Sequence, residues 1–184
     1  MKRFSFLASN LHGVSVISPK PIRDDRGYFE RFFCVDEFRE IGLSKPLAQI
    51  NHSFTKHKGS VRGMHFQNPP YSEIKIVRCL SGAIYDVVVD IRKDSPTFLQ
   101  HFGVVLSKRN SRYLYVPEGF AHGFQTLTNN VEMLYLSTTP FEPSADNGLN
   151  PLDPALGIQW KMDITHISAK DKNAPYITPR FCGI

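Results

Sequence analysis

Residues 75–98, KIVRCLSGAIYDVVVDIRKDSPTF, hold two β-rich runs separated by a small break and closed by a firm stop. The runs IKIVRCL and AIYDVVVDI part at Ser81-Gly82, and Asp94-Ser95-Pro96 ends the second. β-Branched and aromatic side chains suit a pleated strand, whereas Gly, Pro, Asp and Ser interrupt one. Outward from this stretch, GVSVIS, FGVVL, RYLYV and EMLYLSTT repeat the pattern, with breaks at Lys108 to Ser111 and Pro117 to Gly119. That spacing predicts an all-β chain, an antiparallel sandwich or barrel with a few short helices. The best early helix is VDEFREIGL, with Asp36 as its cap and Gly42 as its terminator. From about Pro140 onward, Pro143, Gly148, Pro151, Pro154 and Gly157 punctuate a loop-like stretch.

Composition bounds the rest. A chain of 184 residues that is 41% hydrophobic and 12% aromatic can build one core, and no repeat or linker divides it, so residues 1–184 read as one domain. The 22 basic against 17 acidic residues give a net charge of +5, which favours an anionic partner; without a concentrated basic run, a small phosphorylated ligand suffices. Cys34, Cys79 and Cys182 are odd in number, far apart and form no CxxC pair, which fits a reducing compartment. The apolar part of the first nineteen residues is broken by Ser5, Ser9, Asn10 and His12, and no apolar run approaches the roughly 18 residues of a membrane span. The expectation is a cytoplasmic protein without membrane or nucleic-acid partners.

Two stretches carry chemistry. SVRGMHFQNPP, residues 60–70, sets Arg62 and His65 three apart in an extended segment. Strict alternation would point Arg62 and Met64 one way and Gly63, His65 and Gln67 the other, unless a bulge intervenes. VPEGFAHGF delivers His122 just after the turn at Pro117 and Gly119, and its P-x-G-x-x-H order resembles the second half-motif of the cupin superfamily, a double-stranded β-helix or jelly roll. A metal-binding cupin would be expected to pair two histidines as H-x-H ahead of a glutamate. Here Gln67 stands where the second imidazole is wanted and Glu73 is the only nearby acid, so no metal is expected.

The chain resembles the dTDP-4-dehydrorhamnose 3,5-epimerases, metal-independent sugar-nucleotide members of the cupins. DDRGYF, QINHS, VRGMHFQNPP, KIVRCLSGAIYDVVVDIRKDSPTF, LYVPEGFAHGFQTL, LYLSTT, DPALGIQW and ISAKD carry the resemblance, in the family's order over nearly the whole chain. It implies a homodimer without cofactor, acting on a nucleoside-diphosphate 4-keto-6-deoxyhexose, most simply in the dTDP-rhamnose route to a surface polysaccharide. Inverting a carbon beside a ketone needs a base, a cation for the enolate and an acid on the far face. By resemblance His65 is the base, Asp171 orients it, Lys75 stabilises the developing charge and Tyr135 donates the returning proton. Arg26, Gln49, Asn51, Arg62, His122 and Lys170 match positions around the diphosphate and sugar, and Phe141 matches the aromatic that stacks on the base.

Arg31 replaces the acid usual two residues after the phenylalanine of RGYFER, and Asp146 stands near a common glutamate contact. The aromatic often found before DP gives way to Asn150 and Pro151. These departures allow a CDP-linked substrate or inversion at one carbon. Ordinary alternatives exist for the same residues: Ser168-x-x-Asp171 also fits a capping box, Tyr135 core filler, Lys75 a solvent-facing strand lysine, and Arg26 and Arg31 surface charges. His12, His52, His57, His101 and His166 suggest no role. Competing functions are a cupin that binds a nucleotide sugar without turnover, a metal-dependent cupin enzyme and, last, a nucleic-acid-binding barrel, against which the dispersed basic residues speak.

Overall fold

The computed structural model describes residues 2–184. Its fourteen strands are β1 (Phe4–Ala8), β2 (Ser15–Pro19), β3 (Ile22–Asp24), β4 (Gly27–Phe29), β5 (Gln49–Thr55), β6 (Ser60–Gln67), β7 (Lys75–Ser81), β8 (Ala83–Asp90), β9 (His101–Ser107), β10 (Tyr113–Val116), β11 (Phe120–Thr126), β12 (Val131–Ser137), β13 (Asp146–Gly148) and β14 (His166–Ile167). Two short helices, α1 (Val35–Arg39) and α2 (Ala169–Lys172), and a single 3₁₀ turn at Pro154–Leu156 complete it. The strands form two sheets, ordered β1-β2-β10-β7-β12-β5 and β13-β6-β11-β8-β9, with β14 beside β6; β3 and β4 make a separate hairpin. This is the all-β sandwich that the turn spacing called for, and the jelly roll that the cupin resemblance implied.

The two runs of residues 75–98 become β7 and β8, yet they do not pair. Ser81-Gly82 carries the chain from one sheet to the other. Between the sheets lies a core that includes Val77, Ile84, Val88, Leu114, Phe124 and Met133. Alternate residues face outward and are covered as well. Phe4, Ile76, Tyr113 and Leu136 meet Phe38 of α1, while Val87 and Val89 meet Leu156 and, at the margin, Trp160 and Phe181 of the C-terminal segment. Both faces being covered explains why every residue of β8 after Ala83 is buried, Asp86 and Asp90 included.

Helix α1 is shorter than its sequence signal. Asp36 lies inside the first turn and pairs with Arg39 at 3.1 Å; the capping position is Cys34, which makes no side-chain cap. Gly42 does lie just beyond the helix, its N–H donating to the Arg39 carbonyl at 3.1 Å. Glu37 fastens the helix to β1 by accepting from the N–H groups of Arg3 and Phe4 at 2.8 and 3.1 Å. The loop-like stretch after Pro140 contains only β13, the 3₁₀ turn, β14 and α2. No helix among the described residues is long and apolar enough to cross a membrane.

Candidate active site

At one end of the sandwich the inward-facing side chains turn from apolar to polar. On β7 the inner row runs Cys79, Val77, Lys75, and on β12 it runs Val131, Met133, Tyr135, Ser137, with Tyr135 paired to Asn51 of β5. From the other sheet, β6 contributes Arg62 and His65, and β11 contributes His122. Together they line a cavity of about 530 Å³, with Gln49, Asn51, Glu73, Phe141 and Lys170 at its walls and rim.

A bulge breaks the strict alternation of β6. Its register against β11 shifts between the His65–His122 and Arg62–Phe124 pairs, so three steps on one strand match two on the other. Arg62 and His65 therefore both reach the cavity, while Met64 is fully buried in the outer core. The shift needs close backbone approach: a Cβ on Gly63, whose φ is +123°, would lie 2.5 Å from the Gly123 Cα, and one on Gly123 would lie 2.7 Å from the Arg62 carbonyl oxygen. Only glycine fits that crossing.

His65 Nε2 lies 2.7 Å from Asp171 Oδ1. The second carboxylate oxygen of Asp171 accepts from the Gly63 N–H at 3.2 Å, and Ser168 caps α2 by accepting from the Asp171 N–H at 3.0 Å. Ser168 thus caps the helix while the Asp171 carboxylate turns to His65 and Gly63. Burial alone would raise the Asp171 carboxyl, but the His65 bond and charge and the Gly63 N–H outweigh it and hold the group below its ordinary value. Once Nε2–H donates to Asp171, Nδ1 is the free basic nitrogen of a neutral His65.

His122, the cross-strand neighbour of His65, makes a second such couple. Its Nε2 lies 2.8 Å from Oδ1 of Asp86, a fully buried residue of β8 whose Oδ2 has no partner. Burial lifts the Asp86 carboxyl, opposed by His122. Sequence reading passed over Asp86; its signal was an acid alternating inward within YDVVVD. Tyr135 faces His122 edge-on at 6.5 Å, and its hydroxyl shares a hydrogen bond with Ser53 Oγ at 3.0 Å. Burial pushes the Tyr135 phenol up to about 12, so it stays protonated and able to donate.

The other expected residues fall as follows. Lys75 is an inward strand lysine, 15% exposed at its side chain and 3.0 Å from Glu73. Arg62 is steadied by Thr55 Oγ1 and the Phe54 carbonyl oxygen at 2.9 and 3.2 Å. Gln49 accepts from the Phe141 N–H at 3.0 Å, which sets that exposed ring at the rim, and Lys170 pairs with Asp146. Gln67 spends its amide on backbone, donating to the carbonyls of Tyr71 and Pro140 and accepting from Glu142 N–H at 2.7 Å. Arg26 is not brought to the cavity of its own chain. It sits at the exposed tip of the β3–β4 hairpin, 2.6 Å from Asp24, because a two-residue turn there leaves it local partners only. Arg31 is surface-exposed and 3.8 Å from Glu37, away from the cavity.

A wider depression of about 780 Å³ lies beside that hairpin, lined by Arg23, Lys108, Arg109 and Glu30 among others. It gathers no acid–base couple, since Glu30 is held by Arg78 at 2.5 Å. The polar end of the sandwich is where the two histidine–aspartate couples and Tyr135 converge.

Residues 8–178 match the family model described as dTDP-4-dehydrorhamnose 3,5-epimerase. The chain is 44% identical to the dTDP-4-dehydrorhamnose 3,5-epimerase of Salmonella typhimurium, over 89% of this chain and 90% of that one. It is 39% identical to a dTDP-4-dehydrorhamnose 3-epimerase of Streptomyces niveus, over 89% of this chain and 79% of the relative. The crystal structure of the dTDP-4-dehydrorhamnose 3,5-epimerase of Bacillus anthracis, with TDP and PPi bound, superposes with a TM-score of 0.91 at 36% identity, covering 95% of this chain and 99% of that one.

Proposed function

The chain belongs to the dTDP-4-dehydrorhamnose 3,5-epimerase family of isomerases, and we propose that His65, Asp171, Lys75 and Tyr135 perform the two inversions on a dTDP-linked 4-keto-6-deoxyhexose. The observation that carries this is the placing of His65, held by Asp171, and Tyr135 on opposite sheets across one cavity. Inversion demands that geometry: a proton leaves one face of a carbon and another arrives on the opposite face.

In the proposed step, His65 Nδ1 takes the proton from the carbon beside the ketone, and the C–H electron pair moves onto the ketone oxygen. The imidazolium is held by the Asp171 carboxylate, and the Lys75 ammonium faces the enolate oxygen. Tyr135 then gives its phenolic proton to the far face, the carbonyl re-forms, and exchange with solvent restores His65 and Tyr135. Because both carbons flank the same ketone, one enolate-stabilising lysine serves both. Arg62 has no acid partner in the cavity, whereas His65, His122, Lys75 and Lys170 each have one. That leaves Arg62 as the cation best placed to be neutralised by a diphosphate. Gln49 and Asn51 border the sugar, and Phe141 offers a π-face to the base.

A homodimer fits the surface. β5 is an unpaired sheet edge bearing Ile50 and Phe54, 61% and 53% exposed, and the β3–β4 hairpin exposes Tyr28 and Phe29. With Arg26 on that hairpin, the dimer gives it a substrate-binding role in the partner's cavity. The cytoplasm, where nucleotide sugars are made, is the proposed location.

Tyr135→Phe tests the mechanism. Loss of net inversion by about 10² or more with solvent exchange retained at a sugar carbon is expected of a missing acid. Equal loss of exchange and inversion would assign Tyr135 to binding instead.

A further inference from the structure

Lys75 does not stand alone in the cavity wall. Its Nζ lies 3.0 Å from Oε1 of Glu73, and the two side chains are only 15% and 11% exposed. Both line the cavity, two residues apart on one face of the chain entering β7. The backbone that carries Glu73 is clamped on both sides. Thr138 Oγ1 accepts from the Ile74 N–H at 2.9 Å, the Ile74 carbonyl accepts from the Thr138 N–H at 3.2 Å, and Thr139 Oγ1 donates to the Ser72 carbonyl at 2.8 Å. These bonds extend the β7–β12 ladder past the Ser137–Lys75 pair, so Glu73 rides on a fixed frame.

Lysine needs such a frame. Its ammonium is a point charge on a flexible four-carbon stem, with three N–H donors and no planar fork to pre-set its direction. An ion pair with a carboxylate carried on that frame restricts the lysine stem within the cavity that both residues line. We propose that Glu73 is a positioning residue: it fixes the Lys75 ammonium where the enolate oxygen develops, without itself touching the sugar. The proposal rests on the reading of Lys75 given above.

A double-mutant cycle on the full-length protein tests it, with turnover and KM measured on the 4-keto sugar nucleotide and Tm followed for each variant. Lys75→Ala should lower kcat by about 10²-fold, as loss of an enolate-stabilising charge does. Glu73→Ala should lower kcat by about 10-fold with KM within about twofold, since an interaction made only in the transition state is weakened. Glu73→Gln keeps the length and an acceptor oxygen and should recover part of that loss. In the Lys75→Ala background, Glu73→Ala should cost nothing further. An equal additional loss there, or a raised KM with unchanged kcat, would overturn the proposal by making Glu73 act on the substrate directly. So would unchanged kinetics of a folded Glu73→Ala. Full turnover of Lys75→Ala would instead remove the underlying reading of Lys75.

Discussion

At the scale of single residues, the site pairs its imidazoles and lysines with individual acids and leaves Arg62 without one. Asp171 serves His65, Asp86 serves His122, Glu73 serves Lys75 and Asp146 serves Lys170. A positioned base of this kind typically contributes 10² to 10⁴ in rate, so His65→Ala should lower turnover by about that range with the fold retained. Asp171→Asn should lower it by about 10², and the double variant no more than His65→Ala alone, because Asp171 acts through His65. The same carboxyl has a stability signature. Its value is depressed in the folded chain, so its stabilisation is present above the ordinary carboxylate value of about 3.9 and is lost as pH falls through the folded value. Urea midpoints of wild type and Asp171→Asn should therefore draw together below about pH 4; a constant difference from pH 3 to pH 7 would contradict the depressed carboxyl. His65, Asp171, Lys75 and Tyr135 were legible because motifs in family order named them. Asp86 and the pairing of Glu73 with Lys75 were not, since burial and side-chain direction are tertiary facts that residue type does not carry.

At the scale of elements, the bulge in β6 is the feature on which the site turns. It exists because Gly63 and Gly123 let two strands cross back to back, and it moves Arg62 onto the face of His65. Gly63→Ala meets both a positive φ and backbone atoms, so it should destabilise the fold by about 2–4 kcal/mol and lower turnover in whatever remains folded. Thermal unfolding and activity measured together check this; an unchanged melting temperature would contradict it. Most long strands were readable from β-branched and aromatic runs, as with β7, β8, β9 and β12. β5 was not marked as a strand, because its pattern is inverted: Gln49, Asn51 and Ser53 face the cavity while Ile50 and Phe54 face outward. A strand that builds a polar site hides from a search for apolar inner rows. α1 showed the opposite error, its cap misplaced because Asp36 and Glu37 are both acids in a first turn.

At the scale of the whole molecule, the jelly roll sets His65 and Tyr135 on different sheets and leaves the apolar edge of β5 and the β3–β4 hairpin exposed. Arg26, expected near the ligand yet remote from its own chain's cavity, makes the dimer testable. Mixing an Arg26→Ala chain with a His65→Ala chain should regain activity in hybrid dimers, since one of the two cavities then has its own His65 and the partner's Arg26. No recovery after subunit exchange would place Arg26 outside catalysis or within its own chain's site.

The most direct test of the central claim is proton NMR in heavy water with dTDP-4-keto-6-deoxyglucose, run for wild type and His65→Ala and repeated with the CDP-linked sugar. Wild type should lose the C3 and C5 proton signals of the dTDP substrate and form the doubly inverted product, while His65→Ala should lose neither at a comparable rate. Exchange at one carbon only, exchange confined to the CDP sugar, or undiminished exchange in a folded His65→Ala chain would each contradict it.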